Sequence, residues 1–320
     1  MNPTGSIPPS PASIRRRQIT TLFLLGGLAL FFLRFLSVQR QQIQYEELIH
    51  KGSVALARKD VVHARGFFDA VIRANPTSPL YYFEISNDCV ASDQPALALE
   101  YAQRGLDACK KAPRPERALL YLGLSQAQAL AEPAHPQTKA IASARIALSL
   151  DPENPVMKNA VGYTLADNDQ NLDEAEKLLR EVLQALQSSG NDLDPYRSAI
   201  EDSFGWLLYK KGNYADAVAE LNQAVADLPS GAEAGAAKYY YYHLGAAYRK
   251  AGKPDDTRQM LAIALHYDPD FSEAKAEAAL LPPPNTPAVS PDKAPSGSLP
   301  TGSASPTSST PPASAPGLKL

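Results

Sequence analysis

The sequence predicts an all-α solenoid of about six helix–turn–helix repeats, preceded by one transmembrane helix. Two observations carry this prediction. A pattern of small, bulky and proline residues recurs at a fixed spacing through the middle of the chain, and nearer the start twenty consecutive residues are almost entirely apolar. Helical hairpins that cannot bury their faces alone stack on one another into a continuous core, and an apolar run of this length matches the thickness of a bilayer.

Composition divides the chain into four parts. Residues 1–18 form a short Pro-rich tail that ends in Arg15, Arg16 and Arg17, and residues 19–38 are the apolar segment. Residues 39–281 form the body, and residues 282–320 form a tail rich in Pro, Ser and Thr. We expect this last tail to be disordered, because it has too few large apolar side chains to offset the entropy of ordering.

The apolar segment, Ile19 to Val38, reads ITTLFLLGGLALFFLRFLSV and predicts a single-pass membrane anchor. Its one charge, Arg34, stands a turn from the end, where a long side chain reaches the interface. A cleaved signal peptide is the alternative, but no small-x-small cleavage site follows in FLSVQRQQIQYEE. The arginines before the segment predict a cytoplasmic N-terminus and a translocated body. In a bacterium this places the body in the periplasm, anchored to the inner membrane.

The charge of the body argues against nucleic-acid binding. Residues 39–281 hold 25 basic and 33 acidic side chains. Proteins that bind nucleic acid present clustered Lys and Arg to the phosphates. We therefore expect no nucleic-acid partner.

One spacing organises the body. After a glycine, a small residue follows at +12, a bulky one at +16, a small one at +19 and a proline at +24. The three clear copies are Gly52 with Ala64, Phe68, Val71 and Pro76; Gly205 with Ala217, Leu221, Ala224 and Pro229; and Gly245 with Thr257, Leu261, Ala264 and Pro269. This pattern resembles the tetratricopeptide repeat (TPR), a helix–turn–helix unit of about 34 residues.

Three weaker copies fill the gaps, so the resemblance covers about three-quarters of the chain. Ser86 stands where the first glycine would, Gly123 leads to Ala140 with five extra residues, and Gly162 leads to Ala175 with one. The spacing predicts that a small residue in the first helix of each hairpin, helix A, lets the second helix, helix B, approach closely.

Four consecutive tyrosines, Tyr239 to Tyr242, fall in helix A of the last repeat. At about 100° per residue, four successive side chains cannot share one face. We expect Tyr241 to point into the hairpin core, and Tyr239 and Tyr242 to point to the inner, concave side. We expect Tyr240 to face a neighbouring helix or the edge of the superhelix.

The sequence carries no recognisable catalytic or cofactor motif. The five histidines are scattered, and no phosphate-binding or nucleophile motif occurs. We therefore predict no enzyme activity, no cofactor and no metal. An enzyme, or a regulatory subunit of one, with an unrecognised site remains the alternative of a different class.

The TPR resemblance implies that a protein or peptide partner binds in the groove lined by helices A. We predict that this groove is lined by inner-face residues of the last three helices A. These residues are Asn159, Tyr163, Asp202, Trp206, Tyr209, Lys210, Tyr239, Tyr242 and Arg249. Aromatic side chains with a few charges are typical of binding hot spots. The alternative is that Trp206 and Tyr163 pack against adjacent helices and only stiffen the solenoid. We thus predict a membrane-anchored scaffold for envelope complex assembly, or alternatively a eukaryotic organelle-membrane protein facing the cytosol.

Overall fold

A computed structural model describes residue 34 and residues 40–132, 136–188, 193–228 and 234–283. Apart from Arg34, Pro282 and Pro283, the predicted anchor at 19–38 and both predicted tails lie outside these residues. Within the described ranges, no helix has both the length and the apolar character needed to cross a membrane.

The described residues are helical and contain no strand. The helices are α1 (residues 40–57), α2 (Val61–Ala74), α3 (Pro79–Ala91), α4 (Pro95–Ala108), α5 (Arg114–Ala131), α6 (Thr138–Leu150), α7 (Pro155–Asp167), α8 (Leu172–Ser188), α9 (Arg197–Lys210), α10 (Tyr214–Ala226), α11 (Ala234–Lys250), α12 (Pro254–Tyr267) and α13 (Ser272–Ala279). A short 3₁₀ helix, Asp194–Tyr196, precedes α9.

The chain divides into two compact units, Met1–Val71 and Ile72–Leu320. In the first unit, Phe68 of α2 packs on Gly52 of α1, as the spacing predicts. In the second, consecutive helices pair as α3/α4, α5/α6, α7/α8, α9/α10 and α11/α12, and α13 packs on α12. Together with α1/α2 these are six hairpins in the described residues, so the predicted all-α repeat architecture is confirmed.

The repeated glycines are where helix B approaches helix A. A Cβ atom added to Gly205 would lie 2.6 Å from Leu221 Cγ, and one added to Gly245 would lie 3.0 Å from Leu261 Cδ2. Both leucines are 1% exposed or less. A side chain on the glycine and the leucine opposite cannot occupy the same space, so the small residue fixes how closely the helices pack.

The hairpins without this glycine use serine instead. Ser86 Oγ of α3 donates a hydrogen bond to the carbonyl oxygen of Ala98 at 3.1 Å, and a small residue, Ala102, stands at +16. In α5 the same bond runs from Ser125 Oγ to the carbonyl oxygen of Ala140 at 2.8 Å. The predicted role of Gly123 is therefore wrong. Gly123 faces α3, because a Cβ there would lie 3.2 Å from Phe83, and Ser125 occupies the contact with helix B.

The turns between helices A and B also repeat. Five of them contain a residue with a positive φ, namely Lys59, Asp93, Asp169, Gly212 and Gly252, and the turn with Asp169 has a second one, Asn171. Left-handed backbone is unfavourable for residues with a Cβ, although Asp tolerates it better than most. The turn geometry is thus conserved between repeats even where glycine is absent.

The helices A of the second unit are close neighbours. Each contacts the next, through α3, α5, α7, α9 and α11, and α11 also contacts α3. The inner faces of successive helices A are therefore separated by little open space. This proximity decides how many of the predicted groove residues are accessible.

Candidate protein-interaction site on helices α7, α9 and α11

The nine predicted groove residues lie on three successive helices A. Asn159 and Tyr163 are on α7, Asp202, Trp206, Tyr209 and Lys210 are on α9, and Tyr239, Tyr242 and Arg249 are on α11. Ring contacts and hydrogen bonds connect most of them into one cluster, described below. The helical spacing therefore selected residues that do meet in space.

Trp206 is the centre of this cluster, and it is buried. Only 4% of it is exposed. Its ring stacks on Tyr209 with the centroids 4.6 Å apart and on His243 with the centroids 4.1 Å apart. Its Nε1 donates a hydrogen bond to Asp167 Oδ1 at 3.0 Å. The expectation that Trp206 is exposed in the groove is wrong, because α11 packs on α9 and places His243 against the indole.

Asp202 is also buried, at 6% exposure. Its two carboxylate oxygens lie 3.0 and 2.9 Å from His243 Nδ1. This bond and the stacked indole enclose His243, which is 2% exposed, so the histidine is a packing residue. Asp202 was expected to be accessible, and this is wrong for the same reason as for Trp206. Its carboxylate binds a neighbouring helix rather than facing solvent.

Tyr163 of α7 completes the buried side of the cluster. Its ring centroid lies 6.1 Å from that of His243. Burial, with smaller contributions from the Asp167 and Asp202 carboxylates, raises the pKa of the Tyr163 hydroxyl well above its ordinary value. The side chain therefore joins α7 to α11, as expected if it packs against adjacent helices.

Tyr239 and Tyr242 are half-buried rather than open. Both rings meet the edge of Phe271, at centroid distances of 5.1 and 5.4 Å, and Phe271 is 4% exposed. Burial raises the pKa of both hydroxyls well above their ordinary value. The segment that leads into α13 thus covers part of the surface that the sequence assigned to a partner.

Tyr241 packs against the core cluster that includes Leu261 and Ala264, as the helical phase predicts, but it is not fully enclosed there. It is half-buried and stacks on Tyr267 of α12, with the centroids 5.9 Å apart, and Tyr267 is itself 38% exposed. Tyr240 faces α9, as expected, and burial raises the pKa of its hydroxyl to about 12. The run therefore buries Tyr239, Tyr240 and Tyr242 at least as well as Tyr241.

Three half-buried members of the cluster lie at the C-terminal ends of α9 and α11. Tyr209 is half-buried, and the ammonium group of Lys210 donates to the carbonyl oxygen of Asp167 at 2.9 Å and to Asp169 Oδ2 at 3.0 Å. Arg249 forms an ion pair with Glu277 of α13. We call Tyr209, Lys210 and Arg249 the rim. Both of its cations already have a carboxylate partner, so they recognise a ligand only by sharing that partner or exchanging it.

Asn159 stands apart from the rim. Its Oδ1 atom is buried and has no hydrogen-bond partner among the described residues, and the same is true of Asn87 Oδ1 on α3. In the part of the chain that the structure describes, no group of three His, Cys, Asp or Glu side chains is arranged to hold a metal ion.

Comparison with known proteins supports the repeat assignment. Residues 156–230 match the family model described as tetratricopeptide repeat. A TPR repeat-containing protein of Pseudomonas aeruginosa is 39% identical over 85 residues, which cover 27% of this chain and only 13% of that protein. Among solved structures, the APC/C hetero-tetramer Cut9–Hcn1 shares the fold, with a TM-score of 0.52 and 16% identity over 78% of this chain and 45% of that one. Residues 156–230 therefore match tetratricopeptide repeats, and the six described hairpins share the helix–turn–helix architecture of that repeat.

Proposed function

We propose that this protein is a membrane-anchored TPR scaffold that binds a protein or peptide partner beside its inner helices. TPR-type helical repeats are consistent with protein–protein interaction. The anchor is proposed from the apolar run Ile19 to Val38, and the arginines before it favour a body translocated into the bacterial periplasm. Assembly of an envelope complex is the process that this location suggests.

The observation that carries the binding proposal is the rim. Tyr209 and Lys210 lie at the end of α9, and Arg249, whose charge acts on the Tyr209 hydroxyl, lies at the end of α11; all three are half-buried. Tyr209 is backed by the buried Trp206 ring, with an angle of 5° between the two planes. A rigid aromatic platform next to Arg and Lys is the composition that dominates binding energy in protein interfaces. We therefore narrow the predicted groove to this rim and assign Trp206 and Asp202 to its support.

Photo-crosslinking in intact cells tests this proposal. A crosslinking amino acid placed at Tyr209 should give a discrete adduct with one partner, whereas the same group at Tyr267, on a helix B, should not. With the partner identified, Tyr209→Ala should weaken binding by roughly tenfold or more, while the melting temperature reports any loss of folding. Adducts of equal yield from both positions would remove the rim as the binding surface.

The proposed topology has its own test. Protease added to intact spheroplasts should digest the body, because the proposed orientation places it outside the inner membrane. A body that is digested only after lysis would reverse the orientation and favour a partner in the cytoplasm.

A further inference from the structure

One repeated position carries an unexpected residue in the fifth hairpin. Four residues before the repeated small residue, the TPR pattern places a large aromatic side chain. The six hairpins hold Leu48, Tyr82, Tyr121, Lys158, Glu201 and Tyr241 there, counting the third from Ser125. Four of the six are thus large apolar or aromatic residues. Glu201 is a carboxylic acid in a position that packing normally fills, and it is 7% exposed.

Lys158 shows how a charge at this position is normally satisfied. Its ammonium group donates to Glu181 of the paired helix α8 at 2.9 Å and to Glu153 at 3.3 Å. Glu201 has no comparable partner. Its Oε1 lies 3.8 Å from Arg197 Nη1, beyond hydrogen-bonding distance, and its buried Oε2 accepts no hydrogen bond from an N–H or O–H group of the described residues. An ionised carboxylate left in this way is costly, since burial disfavours charge unless it is paired.

The groups that face Glu201 add negative charge. From its own helix comes Arg197, which is already bound to Asp194 at 2.6 Å. From α10 come Asp227, close enough to share a hydrogen bond, and Glu220. From α11 comes the Tyr240 hydroxyl. The single positive charge near Glu201, that of Arg197, is therefore outnumbered by carboxyl groups.

Asp227 is held in place for this contact. It caps the end of α10, where its backbone N–H bonds to the carbonyl oxygens of Gln223 and Val225. Gln223 Nε2 donates to Asp227 Oδ2 at 3.0 Å. Two carboxyl groups in contact cannot both ionise without strong repulsion, so one proton between them is the stable arrangement.

We propose that Glu201 and Asp227 share one proton and act as a proton-dependent lock that holds α10 against α9 and α11. When the proton leaves to solvent, two carboxylates face each other at the junction of these helices, and the fifth hairpin loosens. The lock goes beyond the proposed function, because it requires no partner and no membrane.

The direction of its titration agrees with this geometry. Burial, followed by the Asp227 carboxylate, raises the pKa of Glu201 from its ordinary value of 4.5 to about 7. Between about pH 4.5 and 7, Glu201 therefore keeps its proton in the folded protein and has lost it in the unfolded chain. The lock is intact at low pH and weakens as the pH rises from about 4.5. Above about pH 7 its contribution to the free energy of unfolding is lost.

Hydrogen exchange in the full-length chain tests the lock. After correction for the chemical exchange rate, the opening constant of α9, α10 and α11 should increase by about tenfold or more between pH 5.5 and 7.5. Helices α5 and α6 serve as the internal reference. In Glu201→Gln, which keeps the shape but cannot ionise, this increase should disappear. Glu273→Gln, at an exposed carboxylate of α13, should behave as the wild type does.

Two results would overturn the proposal. One is a wild-type opening constant that increases less than twofold between pH 5.5 and 7.5. The other is an increase in Glu201→Gln that is as large as in the wild type. Asp227→Asn provides a second route if the first variant does not fold, since removing the neighbouring carboxylate should reduce the pH dependence and leave only the part that burial of Glu201 causes. An Asp227→Asn protein with wild-type pH dependence would likewise exclude a shared proton.

Discussion

Adding one methyl group at Gly205 is expected to destabilise the fifth hairpin, although alanine is a better helix former than glycine. The new Cβ would lie 2.6 Å from Leu221 Cγ, 2.9 Å from Leu221 Cδ2 and 3.2 Å from the Leu221 backbone nitrogen. Carbon atoms in contact prefer a separation of about 3.5–4.0 Å, and Leu221 is completely buried. The helices must therefore move apart by a substantial fraction of an ångström.

The size of the effect follows from two opposing terms. Overpacking a buried contact costs about 1–3 kcal/mol, and replacing glycine by alanine within a helix returns about 1 kcal/mol. The difference between the two ranges is about 0–2 kcal/mol. We therefore expect Gly205→Ala to lower the free energy of unfolding by about 1 kcal/mol, as measured from hydrogen exchange of α9 and α10 in the full chain. A loss of that size lowers the melting temperature by roughly 2–4 °C in a domain of this length.

Gly66 provides the matched control. It also lies inside a helix, α2, but a Cβ added there has no atom within 4 Å. Gly66→Ala should stabilise its helix by up to about 1 kcal/mol, since only the propensity term remains. The two substitutions are chemically identical, and the predicted signs are opposite.

A double variant identifies the contact. The second hairpin pairs Ser86 with Ala102, so Gly205→Ser combined with Leu221→Ala copies its small-against-small arrangement. The double variant should be less destabilised than the sum of the two single changes, by about 1 kcal/mol. Gly205→Ala that stabilises as Gly66→Ala does, or strictly additive single changes, would refute the close approach at Gly205.

Three further variants or measurements address the buried cluster. Trp206 is the only tryptophan of the chain, so its emission in the folded protein should be that of a buried indole and should shift to longer wavelength on unfolding; red-shifted emission before unfolding would contradict its burial. Tyr242→Ala should lower the free energy of unfolding by about 2 kcal/mol or more. The loss for Tyr241→Ala should not exceed the loss measured for Tyr242→Ala. A clearly larger loss for Tyr241→Ala in thermal unfolding would show that Tyr241 is the core residue of the pair. Glu201→Gln should raise the free energy of unfolding by up to about 3 kcal/mol at pH 8 and by almost nothing at pH 4.5, whereas equal effects at both pH values in denaturant titrations would show that charge is not the cause.

The sequence by itself determined the hairpins. Small residues at Gly205 and Gly245, with a bulky residue at +16 and a proline at +24, are local signals whose consequences stay within one hairpin. The contacts with Leu221 and Leu261 occur where the spacing requires them. Helix α12 begins at Pro254, just after the left-handed Gly252, as those two residue types predict. Such signals are reliable because helix period and backbone sterics do not depend on distant parts of the chain.

Only the tertiary structure decided which inner residues are exposed. Helical phase correctly placed Asp202, Trp206 and Tyr242 on one side of their helices, but it cannot say what lies opposite. His243 of the next hairpin covers the first two, and Phe271 covers the third. These contacts depend on how successive hairpins are rotated against each other, and that rotation is the sum of many small packing terms spread over several helices. Glu201 and Asp227 belong to one hairpin and are 26 residues apart. No local pattern identifies such a pair, because the cost of burying a charge appears only once the helices have met.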